Sequence, residues 1–258
     1  MLKSHLVRLL LFFALTGCSA SEVQPEPEPI PEGALRVLFV GNSLTYTNDL
    51  PGIVEAFGRA GEVPVAVGTI AFPNFSLEDH WVRGDARGAL ASGEWDVVVM
   101  QQGPSSLPEN QEHLKQWVGR FAEEAQMYGT DAAVYQVWPS AERSFAFPAV
   151  IEAYANAAEA ADATLLPAGA AWQDAWAREP RLEFYGPDGF HPSVAGTYLA
   201  ALVIYGGLTD APLDELPTHV SLSGGGGVEV PSTAARVMKD AAAAVIAASS
   251  EPRLDDGS

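Results

Sequence analysis

Residues 36–45 read Arg36-Val37-Leu38-Phe39-Val40-Gly41-Asn42-Ser43-Leu44-Thr45: an apolar, β-branched run that stops at a Gly-Asn pair and delivers a serine directly after it. The run predicts a buried strand at 36–40, and the Gly-Asn pair a tight turn at its end. Four more runs of this kind follow, at 64–70, 96–101, 132–138 and 164–167, separated by longer, Ala-rich amphipathic stretches. Those stretches predict helices over about 50–60, 108–128, 144–162, 168–178, 192–206 and 232–248. Strands alternating with helices predict a three-layer α/β/α sandwich around a mostly parallel five-stranded sheet. In such a sheet the ligand binds in the crevice beyond the carboxyl ends of the strands, so residues just past each strand are the candidates for chemistry.

Ser43 is the first of these. A serine hydroxyl is a weak nucleophile and needs a neighbouring base, usually an imidazole oriented by a carboxylate. Of the five histidines, His5 lies in the N-terminal apolar segment, His113 in a surface-type helix and His219 in a Pro-rich loop, which leaves His80 and His191. His191 sits in Gly186-Pro187-Asp188-Gly189-Phe190-His191-Pro192-Ser193, a turn-rich segment leading into a helix. On a turn, a carboxylate three residues upstream can reach the ring of the same histidine, fixing its tautomer and stabilising the imidazolium.

The pairing of Gly41-Asn42-Ser43 at one end with Asp188-x-x-His191 at the other resembles the first and last blocks of the SGNH (GDSL-like) hydrolase superfamily, over about residues 35–208. The flanking text, Leu44-Thr45-Tyr46-Thr47-Asn48-Asp49-Leu50-Pro51 and His191-Pro192-Ser193-x-x-Gly196-x-Tyr198-Leu199, resembles a bacterial envelope branch of it. The resemblance implies a flavodoxin-like sheet and an ester hydrolase with Ser43 as nucleophile, His191 as base and Asp188 as its orienting carboxylate. No cofactor or metal is implied.

The middle blocks depart from the family pattern. Where the family offers a glycine N–H to the oxyanion, the comparable segment here is Pro73-Asn74-Phe75-Ser76. Pro73 has no N–H, and Asn74 tolerates a left-handed backbone better than other non-Gly residues, so Asn74 is expected to present its amide in glycine's place. Where the family supplies an Asn side chain, Val97-Val98-Val99-Met100 runs into Gln101-Gln102. A Gln carboxamide carries the same NH₂ donor on a longer stem. Successive strand residues face opposite ways, so one of the two should point at Ser43. Gln101 is favoured, with Gln102 close behind. The expected oxyanion hole is thus the Ser43 N–H, the Asn74 N–H and one Gln amide. Tyr46 and Trp138, each just past a strand, could wall a substrate pocket or simply belong to the core. His80, beside Glu78 and Asp79, could be a rival base or half of a metal site, although no second histidine lies at ligand spacing.

The chain carries 14 Lys and Arg against 33 Asp and Glu, a net charge of −19, which argues against nucleic-acid binding and against an electrostatic grip on anionic lipid. Residues 1–18 read as an export signal: Lys3 and Arg8 precede the apolar run Leu9-Leu10-Leu11-Phe12-Phe13-Ala14-Leu15, too short to span a bilayer. The ending Leu15-Thr16-Gly17-Cys18 resembles the lipobox of bacterial lipoproteins and implies a lipid anchor on Cys18, the chain's one cysteine. Ser19 after it resembles a signal for sorting to the outer membrane. Residues 19–32, rich in Pro and Glu, should form an extended tether, 33–248 the domain, and 249–258 a polar tail. The glycine run at 224–227 is expected to be a flexible loop before the last helix. The expected protein is a lipid-anchored serine esterase of the bacterial cell envelope, facing the periplasm or in the outer membrane, that removes acyl groups such as acetyl from an ester substrate, an acylated carbohydrate foremost. The competing expectation is a catalytically weak domain of the same fold that binds glycans.

Overall fold

The apolar run before Asn42 forms the parallel strand β1 (Leu35–Gly41) of a computed structural model that describes residues 30–250. From Val37 onward every residue of β1 is buried, as a strand covered by helices on both faces must be. Its partners are β2 (Val65–Ala71) on one side and β3 (Val97–Met100) on the other, with Leu38 facing Gly68 and Val98. The sheet continues through β4 (Asp131–Tyr135) to β5 (Thr164–Leu166), and all neighbours are parallel in the order β2-β1-β3-β4-β5. The chain leaves β1 toward one edge and returns to build the other, so the crevice opens beyond the ends of β1 and β3.

Around the sheet run α1 (Ser43–Tyr46), α2 (Leu50–Ala60), α3 (Leu77–Arg83), α4 (Asp85–Leu90), α5 (Pro108–Gln126), α6 (Phe147–Ala160), α7 (Ala168–Arg178), α8 (Val194–Thr209) and α9 (Ser232–Ser250). In one layer α5 packs on α6, α3 and α4; in the other α2 packs on α8, which α7 and α9 in turn cover. Helix α8 is buried from Gly196 to Gly206, which explains an apolar stretch without a polar face. The α/β class and the five-stranded parallel sheet agree with the sequence expectation.

Three local expectations need correction. The short helices α3 and α4 stand where none was expected; α3 begins at Ser76, whose hydroxyl and the Asp79 carboxylate form a capping box. The glycine run at 224–227 is the turn of an antiparallel hairpin, β6 (His219–Ser221) with β7 (Gly227–Glu229), in which Gly225 and Gly226 take positive φ. Helix α9 runs through Ser250, past the expected boundary at 248. The export signal, Cys18 and most of the tether and tail lie outside the described residues. Among the described residues no helix is long and apolar enough to cross a membrane.

Candidate active site

The turn after β1 is built on buried polar pairs. Gly41 is required by close approach, since a Cβ there would collide with Thr45 Oγ1 and Gln101 Oε1. Asn42 is the N-cap of α1: its Oδ1 accepts from Leu44 N at 3.1 Å, while its Nδ2 donates to the Phe75 carbonyl at 3.0 Å. Ser43 follows at the first position of α1, where a helix offers its N–H no internal acceptor.

Gln101 lies beneath this turn, 1% exposed. Its Oε1 accepts from Asn42 N at 2.9 Å and from Thr45 Oγ1 at 2.8 Å, and its Nε2 donates to Asn42 Oδ1 at 3.1 Å and to the Gln102 carbonyl at 2.6 Å. Both donors and the acceptor are engaged, so the favoured choice of Gln101 as oxyanion donor is corrected: it is a strut under the turn. Gln102, on the opposite face of the strand end, lines the crevice. Its Oε1 accepts from Leu77 N at 3.3 Å, which turns its NH₂ toward Ser105 Oγ at 3.2 Å and His113 Nδ1 at 3.5 Å.

His80 is also part of the support. Its Nε2 lies 2.7 Å from the Gly41 carbonyl, which can only accept, so this nitrogen carries the proton. Nδ1 is buried without a hydrogen-bond partner, and the ring packs against Phe72 and Phe75. Burial pushes its pKa below the ordinary histidine value and keeps the ring neutral. The alternatives of a rival base or metal ligand therefore fail on position; Glu78 pairs with His113 at 3.0 Å and Asp79 with Ser76.

Phe72-Pro73-Asn74-Phe75 forms a turn closed by Phe75 N donating to the Phe72 carbonyl at 3.2 Å. Pro73 sits at its second position and Asn74 at its third with φ 61°, the left-handed backbone expected there. Asn74 lines the same crevice as Ser43.

From the opposite end of the chain, residues 186–193 fold into a turn closed by Gly186 N donating to the His191 carbonyl at 2.7 Å. Asp188 Oδ1 accepts from Phe190 N at 3.0 Å and His191 N at 2.9 Å, while Oδ2 lies 2.5 Å from His191 Nδ1. The hydrogen bond from His191, reinforced by these backbone N–H groups, holds the Asp188 pKa down at about 2. An ionised carboxylate only accepts, so Nδ1 carries the imidazole proton and Nε2 offers its lone pair to Ser43 Oγ, 2.8 Å away. An imidazole so arranged can take the serine proton as the oxygen attacks an electrophile.

The crevice beside Ser43 encloses about 420 Å³. Asn74, Ser76, Gln102, Ser105, Asn110 and His113 give it a polar wall, with Phe75 and Phe190 as apolar patches. His113, expected on a surface, is here because α5 starts at the crevice end of β3; its place in the first turns after a strand was the available signal. Trp138 is corrected from pocket wall to core: fully buried, it stacks on Trp172 at 3.6 Å and donates from Nε1 to the Phe190 carbonyl at 3.1 Å. Tyr46 is 40% exposed and lies outside the crevice lining. Among the described residues no group of three or more His, Cys, Asp or Glu is placed to hold a metal.

No protein-family model matches the chain, and no curated protein matches it at a significant level. Solved structures do. A protein from Slackia heliotrinireducens assigned to the SGNH hydrolases superposes with a TM-score of 0.59 at 29% identity, covering 68% of this chain and 99% of its own. A DUF4886-family protein from Bacteroides uniformis reaches a TM-score of 0.68 at 19% identity over 87% of this chain and 100% of its own. An acetyl-xylooligosaccharide esterase from Geobacillus gives 0.52 at 14% identity over 69% and 94%. The sheet order, the flanking helices and these likenesses together give the chain the fold of the SGNH hydrolases.

Proposed function

We propose that the chain is a serine ester hydrolase, and the observation that carries this is the unbroken line Ser43 Oγ, His191 Nε2, His191 Nδ1, Asp188 Oδ2, at 2.8 Å and 2.5 Å, on the floor of an open crevice. Ser43 attacks the ester carbonyl carbon while its proton passes to His191 Nε2, and Asp188 stabilises the imidazolium that forms. The carbonyl oxygen becomes an oxyanion, for which the Ser43 N–H and the Asn74 N–H are donors, joined by the Gln102 NH₂ as it gives up its long, 3.5 Å contact with His113 Nδ1. His191 then protonates the leaving alcohol. Water, deprotonated by the same nitrogen, releases the acid and restores Ser43.

The polar wall argues for a short acyl group on a hydroxyl-bearing alcohol, since a long acyl chain would cover the carboxamides of Asn74 and Asn110 with hydrocarbon and strip them of water. An acetylated carbohydrate meets that description. An export signal ending at Cys18 would tether the enzyme by a lipid to the cell envelope, where such esters occur.

The test is labelling of the purified chain with a fluorescent fluorophosphonate. Wild type should label, and Ser43→Ala and His191→Ala should not. A folded wild type that takes up no label refutes the hydrolase and favours a glycan-binding domain. Turnover of p-nitrophenyl acetate but not of the palmitate checks the acyl length.

A further inference from the structure

The reaction above leaves Asn48 without a part. It lies in a single turn of 3-10 helix, Thr47–Asp49, between α1 and α2, with φ 55° and ψ 21°. Asp49 follows with φ 53°. Two successive non-Gly residues in the left-handed region are costly, and such conformations persist only where the surroundings hold them. Asp49 has a local reason, because its Oδ1 caps α2 by accepting from Gly52 N at 3.2 Å. Asn48 has a distant one. Its Nδ2 donates to the Pro192 carbonyl at 3.0 Å and to Thr197 Oγ1 at 2.9 Å. The Thr197 hydroxyl in turn donates to the Ser193 carbonyl at 3.1 Å.

The relevance lies in what these bonds connect. Asp188 and His191 share one turn, so their mutual geometry is set locally, but nothing within that turn sets its distance from Ser43. Two bonds fasten the turn to the segment after β4: Trp138 Nε1 to the Phe190 carbonyl and Ala141 N to the Gly189 carbonyl. On the other side, besides the Ser43–His191 contact itself, the bonds from Asn48 are those that join the nucleophile segment 41–49 to segment 186–197 among the described residues. Pro192 directly follows His191, so the acceptor is the carbonyl of the residue next to the base.

We infer that Asn48 is a positioning residue: its carboxamide clamps the carbonyl of Pro192, the residue after His191, to the turn after Ser43 and thereby sets the separation of nucleophile and base. The inference rests on the serine-hydrolase reading. The left-handed backbone at Asn48 aims the carboxamide across the gap, which accounts for strain at a position no helix or strand requires.

The experiment uses the purified full-length chain with p-nitrophenyl acetate and the fluorophosphonate, comparing wild type, Asn48→Gly, Asn48→Asp and Thr197→Val. Glycine accepts the backbone without strain and removes the clamp; aspartate keeps the shape and replaces both donors by acceptors. Both should lower kcat and the labelling rate by about 10²-fold, the scale of a misplacement of about 1 Å, with KM unchanged and thermal unfolding little altered. Thr197→Val removes one of the two bonds and should lose less. In a His191→Ala background the Asn48 substitutions should cost nothing further in residual hydrolysis, which a general loss of structure would not produce. If a variant at 48 does not fold, Thr197→Val decides by the same kcat and KM criterion. Wild-type rates in folded variants, or an equal loss in the His191→Ala background, overturn the clamp while the hydrolase stands. Absence of Ser43-dependent labelling in wild type overturns the hydrolase and the clamp together.

Discussion

The two sides of the Ser43–His191 contact are built in opposite ways. On the nucleophile side, Asn42, Thr45, His80 and Gln101 are all buried, and the polar contacts that fix the turn run to residues 33 to 59 positions away. On the base side, Asp188 is 53% exposed and His191 36%, and the carboxylate's three bonds stay within three residues. A buried network gains rigidity because any unpaired member carries its full desolvation cost. An exposed turn has no such penalty and relies on covalent spacing, so it can orient its own members but needs outside contacts to place the pair against the nucleophile.

The largest test of this contrast removes the contact itself. Ser43→Ala should reduce ester hydrolysis by about 10⁴-fold or more at unchanged stability, measured as kcat on p-nitrophenyl acetate beside a denaturant unfolding curve. Next comes the pair of adjacent glutamines, which stand on the two faces of one strand end. Gln102→Ala should cost about 10²–10³ in kcat, the usual loss for one oxyanion donor, with the smaller loss of stability of the two, since the buried Leu77 N–H alone loses its acceptor and that bond is long at 3.3 Å. Gln101→Leu should do the reverse in emphasis. It strands the Asn42 N–H and the Thr45 hydroxyl in a dry site, at about 1–3 kcal/mol for each group left unpaired, and should appear foremost as lost stability. Equal kinetic losses with equal stability in the two variants would erase the distinction between strut and donor.

Much of the contrast explains what could be read in advance. The β1 run, its Gly-Asn-Ser ending and Asp188-x-x-His191 are short-range patterns, and the structure brings those residues together. Period-two alternation says that Gln101 and Gln102 face opposite ways but contains nothing about which face holds the crevice; that depends on where Asn42 and Leu77 arrive from other parts of the chain. Trp138 followed a strand and looked available, yet its ring is claimed by Trp172, 34 positions on. His80 carries a polar label in a short helix, and only the rings of Phe72 and Phe75 and the Gly41 carbonyl reveal it as interior. Asn48 is the extreme case, with partners 144 and 149 positions away and no local signal beyond being an Asn in a loop.

The smallest expected effect concerns the exposed side alone. Asp188 has its pKa held at about 2 by the His191 hydrogen bond and the N–H groups of Phe190 and His191, against about 3.9 in an unfolded chain. A carboxyl group whose pKa is depressed by folding contributes stability that is complete above the unfolded value and fades as pH falls through the folded one. Asp188→Asn should therefore lower the unfolding midpoint by an amount that is constant from neutral pH to about 5, shrinks below about 4 and approaches zero toward about pH 2. Because the group is half-exposed, solvent screens the interaction and the shift should be modest, and added salt should reduce it. The same substitution should still cut kcat heavily at neutral pH, since an asparagine no longer compels Nδ1 to carry the imidazole proton. A stability deficit that persisted unchanged to pH 2 would mean that the loss comes from turn geometry, and the carboxylate's charge would then matter to the reaction alone.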